Sequence, residues 1–183
     1  MLAYVFWHWP IPDIDDASYR NLLQIFHETL KANPPRGFLR SVAFAVSRLP
    51  LQTTSQPGFE DWYLLEDSGA LDVINHAAVS GVCEEPHNQV ARYAAGGTAG
   101  LYRLRAGSED LAGARYATWL SKPEGLSYAD FYSSLESVTS EPSVGVWQRQ
   151  MTLGPTTEFA FYGAKVLESE SITSNQLELV WPK

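Results

Sequence analysis

The sequence predicts an α+β fold in which two similar units follow one another along a single chain. Segments with strand-like and helix-like apolar spacing alternate in the order strand, helix, strand, strand, helix, strand over residues 1–107. Part of that order returns over residues 115–183, where we expect the second unit. Apolar residues make up 45% and charged residues 19% of the 183 residues, which leaves enough apolar surface for a buried core.

The first unit opens with a strand and a helix. Ala3–Trp9 is rich in aromatic and β-branched residues, and Pro10 ends it because proline cannot continue a strand ladder. Asp15 and Asp16 are good helix caps, and apolar residues then recur at helical spacing until Asn33. This pattern predicts an amphipathic helix of about four turns after the first strand.

Two further strands and a second helix follow. Apolar residues alternate through Phe38–Ser47, which is typical of a strand. A polar, proline-containing loop over 51–58 leads into a returning strand at Trp62–Leu65. Asp67 or Ser68 can cap a second helix, and Gly81 ends it.

A long connector over residues 82–100 precedes the fourth strand, Leu101–Arg105. We expect a helical turn or two between residues 88 and 95 and a hinge or turn at its glycines. Those glycines are Gly96, Gly97 and Gly100.

The second unit repeats the first with a constant offset in its central part. Trp147 and Arg149 stand 109 positions after Phe38 and Arg40, and the preceding helical pattern has the same offset. Its second helix is shortened or lost in the polar stretch 165–176. The other strands of this unit are predicted at Tyr116 to Trp119, Phe159–Tyr162 and Leu177–Trp181.

The strand and helix order of each unit is ferredoxin-like, and the tandem pair resembles the dimeric α/β barrel superfamily. That group includes cofactor-free antibiotic-biosynthesis monooxygenases, haem-degrading enzymes and EthD-like or NIPSNAP-like proteins. The resemblance implies a single-chain dimeric α/β barrel, with helices outside and two antiparallel sheets facing each other around an interior pocket. No residue motif indicates one subfamily, so the resemblance implies a fold and not a reaction.

Composition restricts the partners. The net charge of -8 disfavours nucleic acid and anionic membrane surfaces, and no apolar stretch has membrane-spanning length. The lone Cys83 suits a reduced, cytoplasmic and soluble protein. Cys83 and His87 lack paired metal-ligand spacing, and Pro86 is expected to break a helix between them, so we predict no metal and no cofactor. A monomer or a homodimer is expected.

Three polar residues on predicted strands are candidates for catalysis. Arg40 and Arg149 occupy matching positions among apolar residues and could stabilise an anion, or could lie at a sheet rim with their charges in water. His8 could transfer protons at a pocket mouth, or could be an incidental surface residue. His27 is expected to be a packed residue and His76 a surface residue.

The aromatic residues on the strands predict the ligand. A small aromatic or polyketide-like molecule would suit an interior pocket of the barrel, with cofactor-free oxygenation, isomerisation or cyclisation as candidate reactions. A non-catalytic ligand carrier or assembly module, and a haem-binding protein, are the alternatives. The expected ligand-binding residues are Trp7, Trp62, Trp119, Trp147 and His87.

Overall fold

Eight strands form one closed antiparallel barrel. The computed structural model describes residues 1–50, 57–136, 144–152, 159–165 and 173–182. The strands follow one another around the barrel in the order β1, β3, β2, β8, β5, β7, β6, β4. Their bounds are β1 (Leu2–Pro10), β2 (Phe38–Val46), β3 (Gly58–Leu65), β4 (Ala94–Gly107), β5 (Tyr116–Leu120), β6 (Gly145–Thr152), β7 (Phe159–Gly163) and β8 (Thr173–Trp181).

Helices lie outside the barrel, three of them in the first half of the chain. The Asp15 side chain accepts a hydrogen bond from the Ser18 backbone and caps α1, as its position before the helical pattern predicts. A single 3-10 turn at Gly81–Cys83 precedes α3. The helices described are α1 (Asp16–Ala32), α2 (Gly69–Ala78), α3 (Glu84–Tyr93) and α4 (Tyr128–Ser134).

The strand order repeats after half a circuit of the barrel. Replacing β1, β2, β3 and β4 by β5, β6, β7 and β8 regenerates the same circular order, and the pairs β2–β8 and β4–β6 join the two halves. The α+β, tandem, single-chain barrel predicted from the sequence is therefore confirmed. The unit boundaries at residues 107 and 115 remain a prediction.

The sheet is covered on both faces. Along β1, Val5 and Trp7 point into the barrel, whereas Tyr4, Phe6 and His8 point toward the helices. This alternation follows from the two-residue period of a strand. It gives the molecule two distinct interiors, one inside the barrel and one between the sheet and α1 to α3.

The connector before β4 is more regular than its composition indicates. Pro86 does not interrupt a helix, because it lies in the first turn of α3, where a proline removes no helical hydrogen bond. The three glycines lie within β4 instead of forming a hinge. A Cβ atom on Gly96 would lie 2.5 Å from the Trp9 ring, and one on Gly97 would lie 2.5 Å from the Phe6 ring. Glycine is required there because aromatic rings of β1 occupy the space beside the backbone.

The third strand begins earlier than predicted. β3 starts at Gly58, so the adjacent acidic residues Glu60 and Asp61 lie inside a strand whose every residue is buried. The loop predicted over 51–58 lies outside the described residues except for its last two positions. Of the stretch 165–176, where the second helix of the second unit is expected to be shortened or lost, residues 166–172 lie outside them.

Candidate functional site

His8 lies near the end of β1 on the helix side of the sheet, where it is 1% exposed. Its ring is stacked between Phe6 and Phe59, with centroid distances of 5.2 and 5.6 Å. Nδ1 lies 2.8 Å from the Tyr19 hydroxyl of α1, and Nε2 lies 3.2 Å from Asp61 Oδ2 of β3. Two strands and a helix therefore fix the imidazole from both of its faces and at both nitrogens.

Asp61 is the centre of this polar cluster. Its Oδ2 accepts a hydrogen bond of 3.2 Å from the Tyr63 hydroxyl and lies 3.5 Å from His27 Nε2. Neither imidazole Nε2 is aligned on Asp61 as a full hydrogen bond, and Oδ1 has no hydrogen-bond partner among the described residues. The carboxylate is therefore held mainly by two ion-pair contacts and one tyrosine hydroxyl.

His27 contacts the same carboxylate oxygen of Asp61 as His8 does. It lies on α1, fully buried, and its Nδ1 is 2.8 Å from the Ser41 hydroxyl of β2. Its ring is stacked on Tyr63 at 5.5 Å and on Trp181 at 6.2 Å. The expectation of a packed residue describes its burial, but not its contact with a carboxylate.

The electrostatics of the cluster keep Asp61 charged. Burial alone would raise the pKa of Asp61, but the nearby imidazoles of His8 and His27 outweigh burial and hold that pKa below its usual range. Burial, followed by the charge of Asp61, raises the pKa values of Tyr19 and Tyr63. The two phenols therefore stay protonated beside an ionised carboxylate.

Asp61 selects the tautomer in which His8 can act as a base. An ionised carboxylate only accepts, so in the neutral tautomer that complements it the facing Nε2 carries the hydrogen and Nδ1 is the acceptor. In that tautomer the Tyr19 hydroxyl donates to Nδ1. A chain of proton contacts runs from Tyr19 through His8 to Asp61, in the arrangement that activates a hydroxyl in acid-base catalysis.

This chain opens onto a cavity between the sheet and the helices. The cavity has a volume of about 280 Å³, just below the roughly 300–1,000 Å³ typical of ligand pockets. The polar side chains that line it are Tyr4, His8, Asp61 and Tyr63 on the sheet side and Tyr19, Asn75 and His87 on the helix side. The apolar part of the wall comprises Phe6, Phe26, Ile74, Ala78, Val79, Val90, Ala91 and Ala94.

The two arginines lie away from this cavity. Arg40, 39% exposed, donates to the backbone oxygen of Glu109 at 2.8 Å and to its carboxylate at 3.3 Å. Arg149 is half-buried on β6, opposite Tyr102 of β4. Neither guanidinium is among the groups that line the cavity.

The four predicted tryptophans lie inside the barrel, and none of them lines this cavity. Trp7, Trp62, Trp119 and Trp147 are each at most 2% exposed and contact one another and two tyrosines through their rings. Aromatic side chains thus occupy the space where we expected the pocket, and the cavity lies on the opposite face of β1 and β3. His8 and His87, also predicted, both line that cavity.

Asp61 was missed because the strand was predicted to begin after it. The signal was present in the sequence, since two adjacent acids follow Phe59 and precede an apolar run in a strand with two covered faces. Tyr19 is one of the residues whose helical spacing predicts the first helix, and that spacing does not indicate a role in a site. No sequence pattern joins it to His8, because their contact spans two separate elements.

The polar cluster exists in only one half of the barrel. Through the strand register, His8 opposite Phe59 corresponds to Leu120 opposite Phe159, and Asp61 corresponds to Phe161. Apolar residues thus replace the imidazole and the carboxylate in the second half. No group of three or more His, Cys, Asp or Glu side chains in the described ranges has the geometry of a metal site.

Comparison with known proteins supports the fold. No family model matches the sequence, and a search of curated proteins finds no significant match. An anthrone oxidase-like protein superposes with a TM-score of 0.56 at 7% identity, covering 97% of this chain and 90% of its own. A monooxygenase-like protein of Fusobacterium nucleatum gives a TM-score of 0.62 at 9% identity, covering 98% and 92%.

A monooxygenase-like protein of Lactobacillus acidophilus gives a TM-score of 0.56 at 12% identity, covering 98% of this chain and 94% of its own. At these identities the likeness shows the fold alone. Where the chain is described, no helix is both long and apolar enough to cross a bilayer.

Proposed function

We propose that this protein is a cofactor-free oxygenase for a small, electron-rich aromatic ketone or phenol, such as an anthrone, bound between β1, β3 and the helices. The observation that carries the proposal is the buried Tyr19–His8–Asp61 chain opening onto an apolar cavity. The fold shared with an anthrone oxidase-like protein and two monooxygenase-like proteins supports it. The size of the cavity favours one flat molecule.

The role of the Tyr19–His8–Asp61 chain is to remove a proton from a carbon of the substrate. The substrate proton passes to the Tyr19 oxygen as the Tyr19 proton passes to His8 Nδ1, and Asp61 stabilises the resulting imidazolium. The two transfers occur together, because burial disfavours a free Tyr19 phenolate. His87 and Asn75 on the opposite wall hold the oxygen on which negative charge develops.

Dioxygen then completes the reaction. The substrate anion gives one electron to O2, and the substrate radical and superoxide combine to a hydroperoxide anion. The borrowed proton returns from His8 through Tyr19, and loss of water leaves a carbonyl. In sum, one CH2 group and one O2 become one C=O group and one H2O.

The test is oxygen incorporation from 18O2 with anthrone as the probe. We expect wild type to consume O2 and to place one labelled atom in the quinone, and His8→Gln, Tyr19→Phe and Asp61→Asn to lose at least about 100-fold in rate. His76→Gln is the matched control, since His76 is exposed on α2. Equal rates for His8→Gln and His76→Gln would overturn the proposal.

The same samples separate the alternatives. Saturable anthrone binding without O2 uptake in wild type would indicate a ligand carrier. A Soret band that forms on titration with haem and is lost in His87→Gln would indicate a haem protein, because His87 is the cavity histidine on the helix side. Either result would replace the oxygenase proposal.

A further inference from the structure

The barrel interior contains a continuous group of oxidisable side chains. Every ring centroid in this group lies between 4.6 and 6.1 Å from that of another member. All are at most 2% exposed. We call this group the aromatic network; its members are Trp7, Trp62, Trp119, Trp147, Tyr102 and Tyr162.

One member of the network has a proton acceptor. The Tyr162 hydroxyl donates a hydrogen bond to Glu60, a carboxylate that is 0% exposed and points into the barrel from β3. Burial raises the pKa of Glu60 to about 7, although the hydrogen bonds from Tyr162 and Trp62 oppose the rise. Glu60 therefore takes up a proton more readily than an exposed carboxylate does.

The network adjoins the cavity through the sheet. Trp7 lies between the cavity residues Phe6 and His8 along β1, and Trp62 lies between Asp61 and Tyr63 along β3. Two network members are thus separated from the cavity only by their own backbone. The ring centroids of Trp62 and Tyr162 lie 4.6 Å apart.

We propose that the aromatic network carries one-electron oxidation from the cavity into the barrel, where Tyr162 is oxidised and its proton moves to Glu60. The natural oxidant rests on the proposed function: it is a peroxyl radical, formed when a substrate radical escapes superoxide and combines with a second O2. The peroxyl radical gains one electron from the network and one proton from His8 and becomes the hydroperoxide, while Tyr162 loses an electron and a proton to become a neutral radical. This electron transfer through the aromatic network protects the side chains of the cavity wall from oxidation during turnover.

The test is pulse radiolysis of the full chain with azide radical, which oxidises tryptophan in preference to tyrosine. Azide radical becomes azide anion, and the half-buried Trp9, which packs against the barrel interior, offers an entry point. In wild type we expect the indolyl absorption to decay as a tyrosyl absorption grows, at a rate independent of protein concentration. Tyr162→Phe and Glu60→Gln should each slow this conversion at least tenfold.

Tyr128→Phe is the matched control and should convert at the wild-type rate, because Tyr128 lies on α4, 47% exposed and outside the network. Conversion in Glu60→Gln at the wild-type rate would overturn the proposal even if Tyr162→Phe failed to fold. So would a Tyr128→Phe variant slowed as much as Tyr162→Phe. The assay contains no substrate, so its outcome is independent of anthrone oxygenation.

Discussion

Replacing Asp61 by Asn should reveal how strongly this one carboxylate holds the site together. The substitution keeps the shape of the side chain but removes a charge that contacts His8 Nε2 at 3.2 Å and His27 Nε2 at 3.5 Å. The Tyr63 hydroxyl also loses its charged acceptor. Disrupting a buried charged cluster costs about 3–5 kcal/mol, and the amide recovers part of this, so we expect about 2–4 kcal/mol less unfolding free energy at pH 7.

The pH dependence of the unfolding free energy tests the contribution of the Asp61 charge independently. Because the folded pKa of Asp61 is lowered, the stability from its charge is fully present above the unfolded pKa of about 4 and is lost as the pH falls toward the folded value. Wild type should therefore lose more stability than Asp61→Asn below about pH 4. Urea denaturation between pH 3 and pH 7 measures both effects.

Asp72→Asn on the exposed surface of α2 is the control for Asp61→Asn, with an expected change below about 0.5 kcal/mol. The reasoning fails if Asp61→Asn is as stable as Asp72→Asn at pH 7. It also fails if the unfolding free energies of Asp61→Asn and Asp72→Asn change in the same way with pH.

Three further outcomes follow from the same structure. Burial raises the pKa of Glu60 in the folded protein to about 7, so the stability that protonated Glu60 contributes is fully present below its unfolded pKa of about 4.3 and is lost as the pH rises to 7. The unfolding free energy of wild type should fall by about 3 kcal/mol over that range. The same urea series should show no such fall in Glu60→Gln. Gly97→Ala should lower the unfolding free energy by about 1–3 kcal/mol, because its Cβ would lie 2.5 Å from the Phe6 ring; an unchanged melting curve would contradict this. Arg40→Gln should change it by less than about 0.5 kcal/mol, since Arg40 and Glu109 form a solvent-exposed pair; a larger loss would show a role that the surface contact does not explain.

The fold was predictable because periodicity determines it. The spacing of apolar residues in strands and helices can be read directly from the sequence. The repeat can be read in the same way, because Trp147 stands 109 positions after Phe38. The strand order of the barrel follows from two such units. Proline and glycine were less informative. Pro86 was expected to break a helix but lies in its first turn, where its missing N–H has no helical partner to lose.

The site was only partly predictable because it is assembled from separate elements. His8 was identified as a polar exception on an apolar strand, whereas Asp61 fell between the loop predicted over 51–58 and the strand predicted at Trp62–Leu65. The prediction that Trp62 lines a pocket depended on which face of the sheet stays open. Side-chain volume inside the barrel decides that, and periodicity does not report it.

Anaerobic hydrogen exchange of anthrone in D2O, followed by proton NMR, tests the central claim most directly, because it isolates proton removal from the reaction with O2. Wild type should exchange the CH2 hydrogens of anthrone well above the buffer rate, and Tyr19→Phe and His8→Gln should exchange them at the buffer rate. Exchange in those two variants at the wild-type rate, or no exchange above buffer in wild type, would contradict the account.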